Sequence, residues 1–177
     1  MIKFFMEPNY EVKKPEREYG NAGVDFYIPF MNRTFEEAFN LKNDAENAYL
    51  VYDSTCDTWI IRIPAHGRAN IPSGVRSRIS PTIALEAQNK SGVASKRGLV
   101  YGAATIDANY KGIIHISVIN TTDKTVDLIL GTKIMQFIPR VIDPNDIEVY
   151  DDMTLEEFYA DFEFDNRGEG AFGSTGV

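Results

Sequence analysis

The chain holds a single cysteine, Cys56, and only two histidines, His66 and His115. One thiol forms no internal disulfide, and one thiol with two imidazoles falls short of the four ligands of a structural zinc site. No stretch approaches the roughly 18 apolar residues of a membrane-spanning helix. The first apolar run ends at Glu7 and Pro8, too soon for the apolar segment of a secretion signal. Cations are scarce as well: 18 Lys and Arg face 26 Asp and Glu, a formal charge of −8, so the chain lacks the broad basic surface that a nucleic-acid backbone requires. These absences lead us to expect a reduced compartment, the cytoplasm or a host cytoplasm if the chain is viral, with no membrane contact and no direct nucleic-acid binding.

What is present suits one packed core. The 177 residues are 44% apolar and 25% charged, close to the soluble globular average. Residues 112–120 alternate, with Ile114, Ile116 and Val118 on one face and His115 and Ser117 on the other, the period of a half-buried strand. Residues 121–125 form a turn. Residues 59–63, 75–87, 126–130 and 133–139 are further β-rich runs. Short strands at this spacing predict an all-β fold, a jelly roll or β-barrel. Two interruptions predict short helices. Thr34 and Glu37 open residues 34–43 with a capping-box spacing and put Phe35, Ala38 and Phe39 on one face. Thr154 and Glu157 repeat the device ahead of Leu155, Phe158, Tyr159 and Phe162. We therefore expect one domain over residues 1–164, followed by a glycine-rich arm over 165–177.

Five segments carry polar chemistry. In the arm, four glycines interleave with Arg167, Phe172, Ser174 and Thr175, joining convergent N–H groups, an anion-pairing fork, a stacking ring and hydroxyl donors; a solvated tail has the same composition. Residues 102–112 run small residues into Asp107 and Tyr110, which suits either a general base at a hairpin mouth or a capped turn. Lys90, Ser91 and Gly92 place a cation and a hydroxyl at a helix start, an anion cradle or merely a cap. Asp25, in residues 22–26, is either metal-associated or a polar strand residue. Gln136 stands among apolar neighbours, where an amide needs partners, whether substrate or protein.

In their order along the chain, these segments resemble the five motifs of the trimeric deoxyuridine triphosphatases (dUTPases). The third, ATIDANYKG, and the fifth, RGEGAFGSTG, carry most of the resemblance. It implies the family's β-clip subunit, a homotrimer with shared active sites, and Mg²⁺-dependent hydrolysis of dUTP to dUMP and pyrophosphate by water attack on the α-phosphorus. By this resemblance Asp107 is the base and Asp25 holds the water shell of the metal. Lys90, Ser91, Gly92, Gln136, Arg167, Ser174 and Thr175 meet phosphates. Gly102, Ala104, Thr105 and Ile106 read uracil through their backbone, Tyr110 packs on deoxyribose, and Phe172, beside Gly173, covers the base when the arm closes.

Departures from the family pattern are Lys90 for Arg, which loses a planar fork, and Ala104 and Ala171 for Gly. Residues 31–58 form an insertion, read as a tolerated loop or, because Phe35 and Phe39 neighbour Glu36 and Glu37, as a docking element for a regulatory protein. Two alternatives remain. The dCTP deaminases share the fold but place a catalytic Glu where this chain has Ser117. A nucleotide-gated binding or signalling protein retains the pocket without turnover.

Overall fold

The computed structural model describes residues 1–143, 145 and 147–160. Twelve strands and three helices follow one another: β1 Ile2–Met6, β2 Val24–Tyr27, α1 Arg33–Lys42, β3 Tyr49–Asp53, β4 Thr58–Ile63, β5 Arg68–Pro72, β6 Val75–Ile79, β7 Ile83–Asn89, α2 Ser91–Arg97, β8 Leu99–Tyr101, β9 Thr105–Ile106, β10 His115–Asn120, β11 Val126–Ile129, β12 Lys133–Val141 and α3 Leu155–Phe158. The chain divides into two units, residues 1–144 and 145–177, and among the described residues every strand lies in the first.

Four antiparallel sheets result, with strand orders β1-β6, β5-β10-β8, β11-β4-β3 and β2-β12-β7-β9. The all-β expectation holds in its jelly-roll form; among the described residues no sheet closes on itself, which corrects the barrel alternative. Alternation places Phe26, Leu85, Ala87, Met135 and Phe137 on the inner face of the four-stranded sheet, each at most 1% exposed. Phe26 meets Phe137 and Phe4 at ring-centroid distances of 4.7 and 5.4 Å. Ile61, Ile63, Ile71 and Ile116 close the same core from the other sheets, with Ile114 from the segment before β10. The run over 75–87 is two strands, since the 80–82 turn, where Ile83 N–H donates to Ser80 C=O, separates β6 from β7.

The insertion is structured throughout. α1 is capped by Asn32, whose side-chain oxygen accepts from Phe35 N–H at 2.9 Å, so the capping residue stands two positions before Thr34. Phe35 and Phe39 are fully buried in the main core, so they present no apolar face to a partner, and the ground for a docking element there is withdrawn. Asn43 ends the helix by strand-like pairing: its amide donates to Asn70 C=O and accepts from Asn70 N–H at 3.0 and 2.8 Å, fastening α1 to β5. β3 then extends the β11-β4 sheet by one strand.

In the second unit Thr154 and Glu157 form the predicted capping box, although α3 is a single turn and Leu155, Phe158 and Tyr159 are exposed. Phe162 lies outside the described residues. No helix among the described residues is long and apolar enough to cross a membrane.

Candidate functional site

The outer, polar face of the sheet β2-β12-β7-β9 carries Asp25, Gln136 and Thr105 of the residues singled out above. In an antiparallel ladder directly opposed residues share a face and alternate residues along a strand return to it. The registers Gln136↔Asp25 and Gln136↔Gln88 therefore put Asp25, Gln136 and Gln88 in one row. Ile138↔Glu86 and Glu86↔Thr105 form the next row on that face, and Asp107 follows Thr105 two residues on. The inner face of the same strands is the apolar core, and this opposition fixes the register.

At the β2 edge, Asp25 is held by two lysines. Lys90 Nζ lies 2.5 Å from Asp25 Oδ1 and Lys133 Nζ 3.0 Å from Oδ2, and the Asp25 side chain is only 13% exposed. Burial pushes the Asp25 carboxyl up, while the hydrogen bonds from Lys90 and Lys133 outweigh it and leave the group below its ordinary 3.8. Lys133 also reaches Glu16 Oε1 at 2.8 Å, and Tyr27 donates its hydroxyl to the same oxygen. Lys133, held by Glu16 and Asp25, is raised above the ordinary lysine value. Glu16 and Asp25 are further joined backbone to backbone, Asp25 N–H donating to Glu16 C=O at 2.8 Å.

Beside this cluster a cleft of about 390 Å³ is lined by Asn21, Ala22, Lys90, Ser91, Gly92 and Gln136. Lys90 is the N-cap of α2; its ammonium, a donor only, is bonded to Asp25. The Gln136 amide donates to Asn89 C=O at 3.2 Å, and the Asn89 side-chain oxygen accepts from Tyr101 N–H at 2.8 Å. Gly23 is required here, because a Cβ at that position would stand 2.7 Å from Gln136 Oε1. Asn89, Glu16, Tyr27 and Lys133 join the site without standing out in the sequence. Adjacency to Lys90 was the only available signal for Asn89, and β-pairing across distant segments brings in the other three.

Asp107 lies at the opposite, β9 edge. It follows Thr105 and Ile106 into a turn closed by Tyr110 N–H donating to Asp107 C=O at 3.1 Å, and its side chain is exposed. Tyr110 lies over the Gly112 backbone and donates its hydroxyl to Ile113 C=O at 3.0 Å, which leaves the ring 40% exposed. The Ile106 side chain packs on the core, so only its backbone is available to a ligand. Ala104 C=O accepts from Ala87 N–H at 2.7 Å, and Gly102 N–H donates to Ser117 C=O at 2.9 Å. Gly102 also has no room for a side chain, since its Cβ would meet Ser117 Oγ at 2.7 Å.

One chain does not join its two edges. Three strand spacings and a four-residue offset put Asp25 and Asp107 about 20 Å apart along the sheet. Lys90, Ser91, Gly92, Gln136 and Asp25 converge; Gly102, Ala104, Thr105, Ile106, Asp107 and Tyr110 form a second group. Arg167, Phe172, Gly173, Ser174 and Thr175 lie outside the described residues.

The donor chemistry accommodates Mg²⁺ in one way only. The described residues contain no group of three or more metal-ligating side chains. A hard cation that keeps its waters and takes phosphate oxygens as direct ligands needs a single carboxylate in reach, and Asp25 beside the cleft supplies it.

The dUTPase family model matches residues 52–176. The tomato deoxyuridine 5'-triphosphate nucleotidohydrolase is 29% identical over 175 residues, covering 97% of this chain and 93% of that one. The Candida albicans enzyme of the same name is 35% identical over 64% of this chain and 67% of its own. The Arabidopsis thaliana enzyme is 32% identical over 66% of this chain, and the match spans 64% of its length. Among solved structures, a Staphylococcus bacteriophage 80alpha dUTPase with dUpNHpp superposes with a TM-score of 0.68 at 18% identity over 100% of this chain and 99% of that chain. EIAV dUTPase gives 0.59 at 21% identity over 88% of this chain and all of its own. At such identities the superpositions speak to fold alone, whereas a family match running from residue 52 almost to the last residue is decisive: this chain belongs to the dUTPase family.

Proposed function

We propose that the protein hydrolyses dUTP to dUMP and pyrophosphate by water attack on the α-phosphorus, at sites shared between the subunits of a homotrimer. The observation that carries this reading is the shared polar sheet face, with an exposed carboxylate at one edge and a cation-lined cleft at the other, in a chain of the dUTPase family. The two edges are too far apart to serve one nucleotide within one chain, so the Asp107 edge of one copy faces the Lys90 cleft of another. The 80alpha enzyme was solved with dUpNHpp, a triphosphate analogue, and a phage phi11 dUTPase of S. aureus coordinates a structural Mg(II) ion.

Each residue then has a task. Asp107, exposed at the β9 end, takes a proton from the attacking water. Lys90, Ser91, Gly92 and Gln136 receive the phosphates, with Arg167, Ser174 and Thr175 of the arm contributing when it closes and Phe172 and Gly173 covering the base. Asp25 would hold the water shell of a bound Mg²⁺, which would supply charge neutralisation at the phosphate oxygens. Uracil is read by backbone groups over residues 102–106. Cytosine, with donors and acceptors exchanged, leaves those groups unpaired. Tyr110, fixed through Ile113, walls the deoxyribose so that a 2′-hydroxyl is excluded.

Release of pyrophosphate measured across dUTP, dCTP, dTTP and UTP, with and without Mg²⁺, tests the reading. We expect dUTP to be preferred by a factor of at least about 10² over dCTP, the discrimination expected when polar groups lose their partners, and to be turned over faster than dTTP and UTP. Ammonia from dCTP would overturn it in favour of a deaminase. The structure speaks against that rival, because Ser117, 8% exposed, donates its hydroxyl to Asn70 Oδ1 at 2.8 Å where the deaminases place a carboxylate. Nucleotide binding without turnover would favour the signalling alternative.

A further inference from the structure

A second cleft, of about 620 Å³, lies at the other end of α2, between residues 95–98 and the turn that leads into β11. Backbone contacts fix its walls. Asn120 is fully buried; its amide donates to Pro64 C=O and Lys124 C=O at 2.8 and 2.7 Å, and its side-chain oxygen accepts from Thr122 N–H at 3.0 Å, which gives the turn over residues 121–125 one shape. Thr121 ties that turn to the helix end, its N–H and its hydroxyl both donating to Gly98 C=O, at 2.9 and 2.8 Å. Gly98 closes α2 at φ +64°, and a Cβ there would collide with the Thr122 side chain, so helix end and turn meet at backbone distance.

Lys96, Arg97 and Lys124 line this fixed space, and among the described residues no ion pair joins any of them to a carboxylate. Arg97 is anchored across the cleft, donating from Nη2 to Asp127 C=O at 3.1 Å, which leaves most of its guanidinium donors for another acceptor. The one acid in the lining, Asp127, has both carboxylate oxygens taken by Arg62, each at 2.8 Å. Asp123, on the same turn, is bonded to His66 at 2.9 Å and does not line the cleft. In a chain of net charge −8, three cations gathered without a competing carboxylate concentrate positive potential at one place. From this we propose that the cleft is a second anion site, separate from the Lys90 cleft, that takes a small phosphate-bearing molecule. A phosphate presents charged oxygens in several directions and so accepts from two ammonium groups, a guanidinium and the Thr125 hydroxyl together, whereas a carboxylate has two oxygens in one plane. The site uses none of the residues given a task in dUTP hydrolysis and stands or falls apart from that reading.

The test is calorimetric titration of the full chain, carrying Lys90→Met and Gln136→Leu so that the first cleft does not contribute, with inorganic phosphate and separately with pyrophosphate in metal-free buffer of low ionic strength. We expect at least one of the two to bind at one per chain, and the tighter of them shows whether one or two phosphoryl groups are taken. Adding Lys96→Met and Lys124→Met, both exposed positions, should weaken that binding at least about fivefold. Adding Lys3→Met and Arg78→Met instead, two exposed cations opposed across β1 and β6, should weaken it by less than about twofold. No binding of either anion, equal weakening by the two pairs, or acetate bound as tightly as phosphate would overturn the site. In the otherwise unchanged chain, Lys96→Met with Lys124→Met should keep dUTP turnover within about twofold of the parent; a collapse of turnover would place these lysines in the first site and refute a separate one. A parent chain inactive on dUTP would refute the dUTPase reading and leave the titration standing.

Discussion

Replacing Asp107 with Asn is expected to lower the rate of dUTP hydrolysis by about 10²–10⁴-fold, the usual worth of a positioned general base, while dUpNHpp affinity stays within about threefold of the parent. The backbone of Asp107, not its side chain, closes the turn, with its carbonyl accepting from Tyr110 N–H at 3.1 Å, and Asn sustains the same turn. The side chain is exposed just beyond β9, so the substitution removes charge and leaves the hairpin in place. The split between kcat and KM is therefore the diagnostic quantity: kcat should collapse and KM should not rise with it. Single-turnover rates and analogue binding measured on the same preparation separate the two. A variant that still releases pyrophosphate at the parent rate would remove Asp107 from the chemistry.

The second large effect concerns stability. Phe39→Ala should destabilise the protein by about 3–5 kcal/mol, the range for emptying a fully buried aromatic position. Phe39 and Phe35 are both 0% exposed, their ring centroids 5.9 Å apart, and α1 is fastened to β5 through Asn43 and Asn70. The helix cannot withdraw to fill the space without breaking that pairing. Set against the roughly 5–15 kcal/mol of a typical domain, such a loss brings the chain close to unfolding at ordinary temperature. Leu41→Ala on the same helix is the control, since Leu41 is 80% exposed and should cost less than about 0.5 kcal/mol. Denaturant titration of the two variants reads the difference. Equal midpoints for Phe39→Ala and the parent would mean that α1 is an appendage and not part of the core.

Much of this architecture was legible in the sequence. Alternation in residues 112–120 marked β10, because a sheet with one buried face writes its register into every second residue, and β-rich composition in 133–139 marked β12. The Thr154–Glu157 capping box needed only local spacing, and it formed. Local spacing misled at Thr34: the same pattern occurs there, but Asn32 captures the Phe35 N–H first and starts the helix before it. The amphipathic face of α1 was visible, but a periodic pattern cannot tell whether the apolar stripe meets the chain's own core or another protein. Packing on β5 decides for the core.

The candidate site was legible in part for the same reason. Asp25, Lys90, Gln136 and Asp107 each stood in a recognisable segment, and four of the five segments fall on the described residues. Their grouping was not legible, because strand order, not chain order, decides which residues become neighbours. Lys133 and Glu16 are 117 positions apart and meet only because β12 lies beside β2. The ion pairs that hold Asp25 follow from this pairing, and no local motif announces them.

The central claim is that catalysis needs the Asp107 edge of one subunit and the Lys90 cleft of another. The most direct test mixes two crippled chains, Asp107→Asn and the double variant Lys90→Met with Gln136→Leu, by co-refolding at equal amounts and measuring dUTP turnover. If sites are shared, random assembly builds an intact pair of edges in about a quarter of them, and the mixture should recover roughly that fraction of parent activity. If each chain completes its own site, the mixture will show no more than the mean of the two variants measured separately, and the account of a shared site fails.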